Sequence, residues 1–158
     1  EITKEKPNNS YSLAKYKLKN YTFSLLKKFN FNLVWGRIFY IYGKHNSRAT
    51  LYNQILNSSK KKNEGIEVYG NLVRDYLNID KISKIIINLI FKKKSFGLVN
   101  ICSGKGTSLK NLIKKITKEE KITAKINYKN YTKVSENDEV VKFWGCNKKL
   151  KQCLKDNN

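Results

Sequence analysis

The chain holds 158 residues, with 33 basic side chains against 12 acidic ones and a formal charge of +21 near neutrality. Hydrophobic residues at 40% and aromatics at 12% supply a core, which excludes a wholly disordered basic tail and suits one domain or part of a larger one. No apolar run approaches the roughly 18 residues of a membrane span, and the start has neither the apolar stretch of a signal peptide nor the Arg-rich character of a transit sequence, so the expected compartment is the cytoplasm.

Apolar residues at Ala14, Leu18, Tyr21, Leu25 and Phe29 recur every three or four positions and predict a helix over Tyr11–Phe29 packed along that face, with start signals at Pro7 and Ser10. Phe31–Tyr42 is rich in aromatic and β-branched side chains and predicts a buried strand that runs into a loop at Gly43. A weaker helical pattern covers Ser47–Lys62. Short strands follow at Ile66–Tyr69 and Val73–Ile79, separated by a turn at Gly70 and Asn71. Asp80 is expected to cap a helix whose Ile82, Ile85, Ile86, Leu89 and Ile90 form a broad apolar face, and Gly97 ends that unit. Leu98–Cys102 reads as a strand, Ser103–Ser108 as a glycine-containing turn, Leu109–Lys118 as a helix and Ile122–Tyr128 as a further strand. Alternating strands and helices without an internal repeat give an α/β architecture.

Only Arg37, Arg48 and Arg74 are arginine; the other basic residues are lysine. Readers of nucleic acid favour arginine forks, so the lysines are read first as a compositional bias of the genome and second as a true electropositive surface. Lys60-Lys61-Lys62 and Lys92-Lys93-Lys94 read as solvated helix ends. Cys102, Cys146 and Cys153 form no C-x-x-C pair and are expected as reduced, buried thiols. With His45 as the single histidine, a zinc site lacks its ligands. Methionine is absent, which leads us to expect a chain truncated at its amino terminus.

Tyr11 and Lys15 stand four positions apart and therefore on one helix face. A free phenol is a poor base near neutrality, and a nearby cation favours its phenolate form, which can then exchange a proton with a hydroxyl or carbonyl group. Among ten tyrosines and many lysines this spacing also arises by chance as a surface pair. Its surroundings narrow the choice. Trp35-Gly36-Arg37-Ile38-Phe39-Tyr40-Ile41-Tyr42-Gly43, Val68-Tyr69-Gly70, Arg74-Asp75-Tyr76-Leu77 and Val99-Asn100-Ile101-Cys102-Ser103-Gly104-Lys105-Gly106-Thr107-Ser108 follow in that order.

This succession resembles the carboxy-terminal part of the NAD-dependent epimerase/dehydratase family, the extended short-chain dehydrogenases that act on nucleotide sugars. The likeness covers roughly residues 1 to 118, and Phe143-Trp144-Gly145 extends it. It implies the carboxy-terminal portion of a Rossmann-type fold plus a smaller α/β substrate-binding lobe. Residues 1–45 would close the Rossmann-type domain and 46–158 would form mainly the lobe, with 73–91 returning to the first domain. Tyr11 would be the catalytic acid/base, and Lys15 would activate it and hold the nicotinamide ribose. Ile38 and Phe39 would lie near the nicotinamide ring. Arg74 would pair with the substrate's diphosphate and Asp75 would orient that region. Tyr40 stands where many relatives carry a substrate-contacting asparagine, so the pocket is expected to differ. Arg37 reads equally as a structural ion pair or a ligand contact, and Tyr69 as core or as part of the nucleotide pocket.

The implied cofactor is NAD or NADP and the implied partner a nucleotide-diphosphate sugar, with a homodimer left open. The glycine-rich phosphate turn and the serine or threonine of the catalytic group would lie upstream of Glu1, so the 158-residue piece alone is expected to be inactive. Epimerisation, dehydration and reduction of a 4-keto sugar share this opening chemistry. From other classes, a basic nucleic-acid-binding module or an inactive fragment remain as alternatives. A nucleotide-triphosphate loop at Ser103–Ser108 fails on spacing, because G-x-x-x-x-G-K-[ST] needs glycine at Val99 and serine or threonine at Gly106; Thr107 or Ser108 reads instead as a helix cap.

Overall fold

The computed structural model describes residues 5–44, 50–60, 65–132 and 140–156. Along them run α1 (Ser10–Phe29), β1 (Val34–Ile38), β2 (Tyr40–Tyr42), α2 (Leu51–Lys60), β3 (Ile66–Tyr69), β4 (Val73–Arg74), β5 (Tyr76–Asn78), α3 (Ile79–Phe91), β6 (Gly97–Ile101), β7 (Thr107–Ser108), α4 (Leu109–Glu119), β8 (Ile126–Lys129) and α5 (Lys148–Lys155). Pairing is parallel for β1 with β6, β2 with β5 and β3 with β8, and antiparallel for β4 with β7. The architecture is α/β, as the alternation of patterns indicates. His45, Arg48, the boundary set at 45/46 and both ends of the helix expected over Ser47–Lys62 lie outside the described residues.

The strand expected over Phe31–Tyr42 is broken at Phe39. Up to Ile38 the chain pairs with β6, and the Phe39 amide still donates to the Ile101 carbonyl; the next amide, Tyr40, donates to the Asp75 carbonyl and opens the pairing with β5. The strand expected over Val73–Ile79 breaks opposite it, at Asp75, between β4 and β5. A change of partner on both sides explains why two continuous apolar runs become four short strands. The strand expected over Phe31–Tyr42 is also not fully buried, since Ile38 and Ile41 are 44% and 50% exposed.

Capping follows local hydrogen bonding more than the expected start signals. Asn9 caps α1 by accepting from the Ser12 amide, with Ser12 answering in a reciprocal box, so Ser10 is the first helical residue instead of the cap. Asn78, not Asp80, caps α3, and its side chain accepts from the Asp80 amide; Asp80 sits in the first turn, where a negative charge suits the helix dipole. Ser108 caps α4 as expected.

Two cores organise the molecule. Tyr42, Tyr52, Ile55, Val68, Leu112, Ile113 and Ile116 join β2, α2, β3 and α4, whereas Leu89, Val99, Leu150 and Cys153 join α3, β6 and α5. On α3 the broad apolar face is narrower than its sequence suggests: Ile82 and Leu89 are buried, and Ile90 is exposed. The face expected to bury α1 also differs. No residue of α1 is buried, and Leu18, Tyr21 and Phe29 all stand exposed, while Phe23 turns toward Gly97. Helical periodicity fixes the conformation, but the facing surface decides which stripe is covered. Cys102 and Cys153 are buried free thiols, whereas Cys146 is exposed, because it sits in the loop that leads into α5. No helix of the described residues is long and apolar enough to cross a membrane.

Candidate active site

Strands β1 and β6 run parallel and end together at Ile38 and Ile101. Beyond Ile38 opens a cavity of about 620 Å³ lined by Arg37, Ile38, Phe39, Tyr40, Asn100 and the segment Phe143–Cys146. Open α/β sheets place their ligands in such a crevice, outside the carboxyl ends of strands where the pairing order changes. Phe39 forms one wall, its ring stacked on Phe143 with centroids 5.4 Å apart and planes 11° from parallel. Gly145 permits this closeness, since a Cβ there would lie 2.6 Å from Phe39 Cζ and 2.7 Å from Cys102 Sγ.

Asp75 lies beneath that wall and is fully buried. Its carboxylate accepts from three backbone amides: Ser103 at 2.6 Å, Gly104 at 2.9 Å and Gly145 at 3.3 Å. One charge thus ties the β4–β5 break to the glycine-containing turn and to the segment that lines the cavity. The Ser103 and Gly104 amides of that turn are thus already engaged by a carboxylate of the chain itself. Asn147 braces the same turn by donating to the Ser103 carbonyl.

Arg74 is 2% exposed. Its Nε donates to the Tyr40 hydroxyl at 3.2 Å, its guanidinium carbon sits 5.6 Å from the centre of the Tyr40 ring, and one terminal nitrogen donates to the Val73 and Val141 carbonyls. Tyr40 also meets the Tyr76 ring edge-on. Both Tyr40 and Arg74 line a second cavity of about 490 Å³, walled by Tyr42, Tyr52, Tyr76 and leucine and isoleucine side chains. In its walls the Tyr52 hydroxyl is pushed up to about 12, by burial first and then by its hydrogen bond to the Glu120 carboxylate. Nearby, the Lys115 ammonium is raised by its hydrogen bond to the Tyr42 hydroxyl, against the opposing effect of burial.

Tyr11 and Lys15 stand together near the start of α1, with the ammonium 5.7 Å from the centre of the phenol ring. Tyr11 is 73% exposed, and neither residue lines the two cavities. The structure therefore groups Ile38, Phe39 and Tyr40 at one cavity and Tyr40 with Arg74 at the other, sets Asp75 below, and leaves the Tyr11–Lys15 pair on an outward helix face. Arg37 links the regions: it lines the first cavity, its Nε donates to Asn100 Oδ1 at 2.9 Å, and it lies 3.6 Å from Glu5, which also pairs with Lys19 of α1. Tyr69 lines neither of these two cavities and is half-exposed against Tyr131. Asn100, buried within β6 and bonded to Arg37 and to the Cys146 carbonyl, lines the first cavity and is a candidate the sequence reading passed over. A lone amide inside an apolar strand was the signal.

Parallel strand pairs flanked by helices, with a cavity at the carboxyl ends of β1 and β6, fit a Rossmann-type α/β fold. The chain belongs to the NAD-dependent epimerase/dehydratase family, whose model matches residues 1–102. It is 29% identical over 124 residues to the dTDP-6-deoxy-L-talose 4-dehydrogenase (NAD(+)) of Aggregatibacter actinomycetemcomitans, covering 77% of this chain and 46% of that one. Among solved structures it is similar to a UDP-N-acetylglucosamine 4-epimerase of Methanobrevibacter ruminantium in complex with UDP-N-acetylmuramic acid, with a TM-score of 0.78, 17% identity, and coverage of 100% of this chain and 51% of that one. A dTDP-glucose 4,6-dehydratase of Bacillus anthracis in complex with NAD gives a TM-score of 0.74 at 18% identity, over 96% of this chain and 47% of that one. The chain thus spans about half the length of the relatives it matches.

Proposed function

We propose that this chain contributes to an oxidoreductase that exchanges hydride with a nicotinamide cofactor at a carbon of a nucleotide-diphosphate sugar. The observation that carries the reading is the Tyr11–Lys15 pair, side by side on the outward face of α1 within the matched family region; it stands outside the cavity at the end of β1, so the reading requires the reacting sugar carbon to lie between that helix face and the cavity mouth. The cavity fits a flat nicotinamide: Ile38 and Phe39 give it apolar walls at the carboxyl ends of two parallel strands. NAD or NADP bound there supplies the hydride acceptor or donor.

The chain's own residues divide the remaining work. Tyr11 takes or returns the proton of the sugar hydroxyl at its phenol oxygen, and Lys15 sets a positive charge beside it and binds the nicotinamide ribose. Arg74, a planar fork of donors, engages the diphosphate, with Tyr40 beside it. Asp75 does its part through the backbone, holding the turn and Gly145 in place. We also keep residues 1–45 and 73–91 in the Rossmann-type part and extend it, beyond the sequence expectation, by β6 and α5, which share a core with α3; the core around Ile55, Ile113 and Ile116 goes to the substrate lobe.

The similarity to a sugar 4-dehydrogenase favours plain oxidation or keto-reduction at the sugar over epimerisation or dehydration as the net reaction. The test is Tyr11→Phe in the full-length protein. Turnover is expected to fall by about 10² to 10⁴ while binding of cofactor and nucleotide sugar stays intact. Unchanged turnover would refute the role.

A further inference from the structure

We propose that Trp144 is a specificity-determining residue that contacts the sugar: its indole is a fixed platform on which the apolar face of the pyranose packs, beside the end of β1. The inference rests on the nucleotide-sugar reading above and deepens it by naming what recognises the sugar.

Trp144 belongs to the wall of the 620 Å³ cavity and is nevertheless 52% exposed. A tryptophan half open to water forgoes much of the burial its large ring offers, and in a cavity wall that open area is available to a ligand. Half exposed as it is, the residue stands on the open side of the cavity, where the reading above sets the sugar. Exposure here does not come with looseness. The Phe143 amide just before it donates to the Val73 carbonyl at 2.9 Å, and the Gly145 amide just after it donates to Asp75 Oδ2 at 3.3 Å. The neighbouring Phe143 ring is stacked on Phe39. The indole itself rests against Gly106, where a Cβ would lie 2.8 Å from Trp144 Cε3 and 3.2 Å from Cδ2. Gly106 follows directly on the part of the turn that Asp75 and Asn147 brace. The ring is thus set in place before any ligand arrives, which spares binding the cost of ordering it.

The ligand class follows from what this wall offers. Arg37 and Asn100 bond to each other, and Asn100 also donates to the Cys146 carbonyl, so the broadest open surface is aromatic: Trp144 together with the 48% exposed Phe143. The C–H bonds on one face of a pyranose carry slightly positive hydrogens, which the electron-rich face of an indole attracts, and stacking removes both surfaces from water. Ile38 and Phe39, from the other segment of the wall, are assigned above to the nicotinamide, which leaves the Trp144 side to the sugar.

The experiment measures dissociation constants of UDP, dTDP and GDP, of their glucose conjugates and of NAD on the full-length protein, as wild type, Trp144→Phe and Trp144→Ala. Comparing each diphosphate with its conjugate isolates the sugar. In Trp144→Ala the conjugate that binds is expected to lose about five- to tenfold in affinity, with its parent diphosphate and NAD unchanged. Trp144→Phe keeps a flat ring and is expected to lose less. An equal loss for diphosphate and conjugate would overturn the proposal, because it marks a nucleotide contact or a damaged wall. A loss confined to NAD would overturn it as well and make the indole a nicotinamide platform. Unchanged constants in both variants would sink it while leaving the nucleotide-sugar reading intact. If the wild type binds no diphosphate and no conjugate, both fall together.

Discussion

Replacing Asp75 by asparagine probes how the cavity wall is held. The substitution conserves shape but removes the charge and turns one oxygen into an NH₂ group. Three amides now converge on the carboxylate, Ser103 on Oδ1 and Gly104 with Gly145 on Oδ2. Whichever way the new amide is turned, its NH₂ meets at least one N–H donor and leaves it without an acceptor. A hydrogen bond to a charged group contributes about 1.5 to 3 kcal/mol, and the bonds that survive drop to the neutral range of about 1 kcal/mol. The expected loss is therefore about 3 to 5 kcal/mol, a large share of the roughly 5 to 15 kcal/mol that holds a domain together. Urea unfolding of the full-length protein, with a slope of about 1 to 3 kcal/mol/M, would read it as a fall in midpoint of about 1 to 5 M. A loss under about 1 kcal/mol would refute the reasoning. So would intact stability combined with lost substrate affinity, since that would place the carboxylate on the substrate.

Three further outcomes are expected. Gly145→Ala places a methyl group 2.6 Å from Phe39 Cζ, and the forced shift should cost about 1 to 3 kcal/mol in chemical unfolding and displace the Phe143 stack. Ile55→Ala, at a position 0% exposed between α2 and α4, should lose about 2 to 5 kcal/mol, read as a lower melting temperature. Tyr52 holds its proton more tightly folded than unfolded, with its folded value at about 12 against an ordinary 10.0, so its contribution is complete below pH 10 and declines as pH rises from there through 12. Because its Glu120 partner is exposed, that contribution is on the order of 1 to 2 kcal/mol, and Tyr52→Phe should remove this decline from an alkaline unfolding series.

Much of the fold was legible because helical and strand periods are local properties. The spacing of Ile82, Ile85, Ile86 and Leu89 identified α3, and Leu109–Lys118 identified α4 to within a residue. What escaped depends on distant partners. The break at Phe39 arises from β6 and β5 competing for one strand, which no window around residue 39 contains. Likewise α5 spans eight residues with few apolar positions among its lysines, too short for a period to register, although Leu150 and Cys153 complete a core. At the site, the order of Tyr11, Lys15, Arg74 and Asp75 was readable as a pattern. Their division of labour was not: that Asp75 grips three amides and that Tyr40 grips Arg74 follows only from the meeting of segments some 30 to 70 residues apart.

The joint at Phe39 also fixes a length. One residue separates the last pair of β1 with β6 from the first pair of β2 with β5, and side chains alternate sides along each strand. Adding a single residue there would leave Val34–Ile38 in register yet rotate Tyr40, Ile41 and Tyr42 to opposite sides, pulling Tyr42 out of its core and the phenol off the guanidinium. Insertions that surface loops elsewhere absorb without consequence are thereby barred at this joint, and the two strand pairs inherit a common phase.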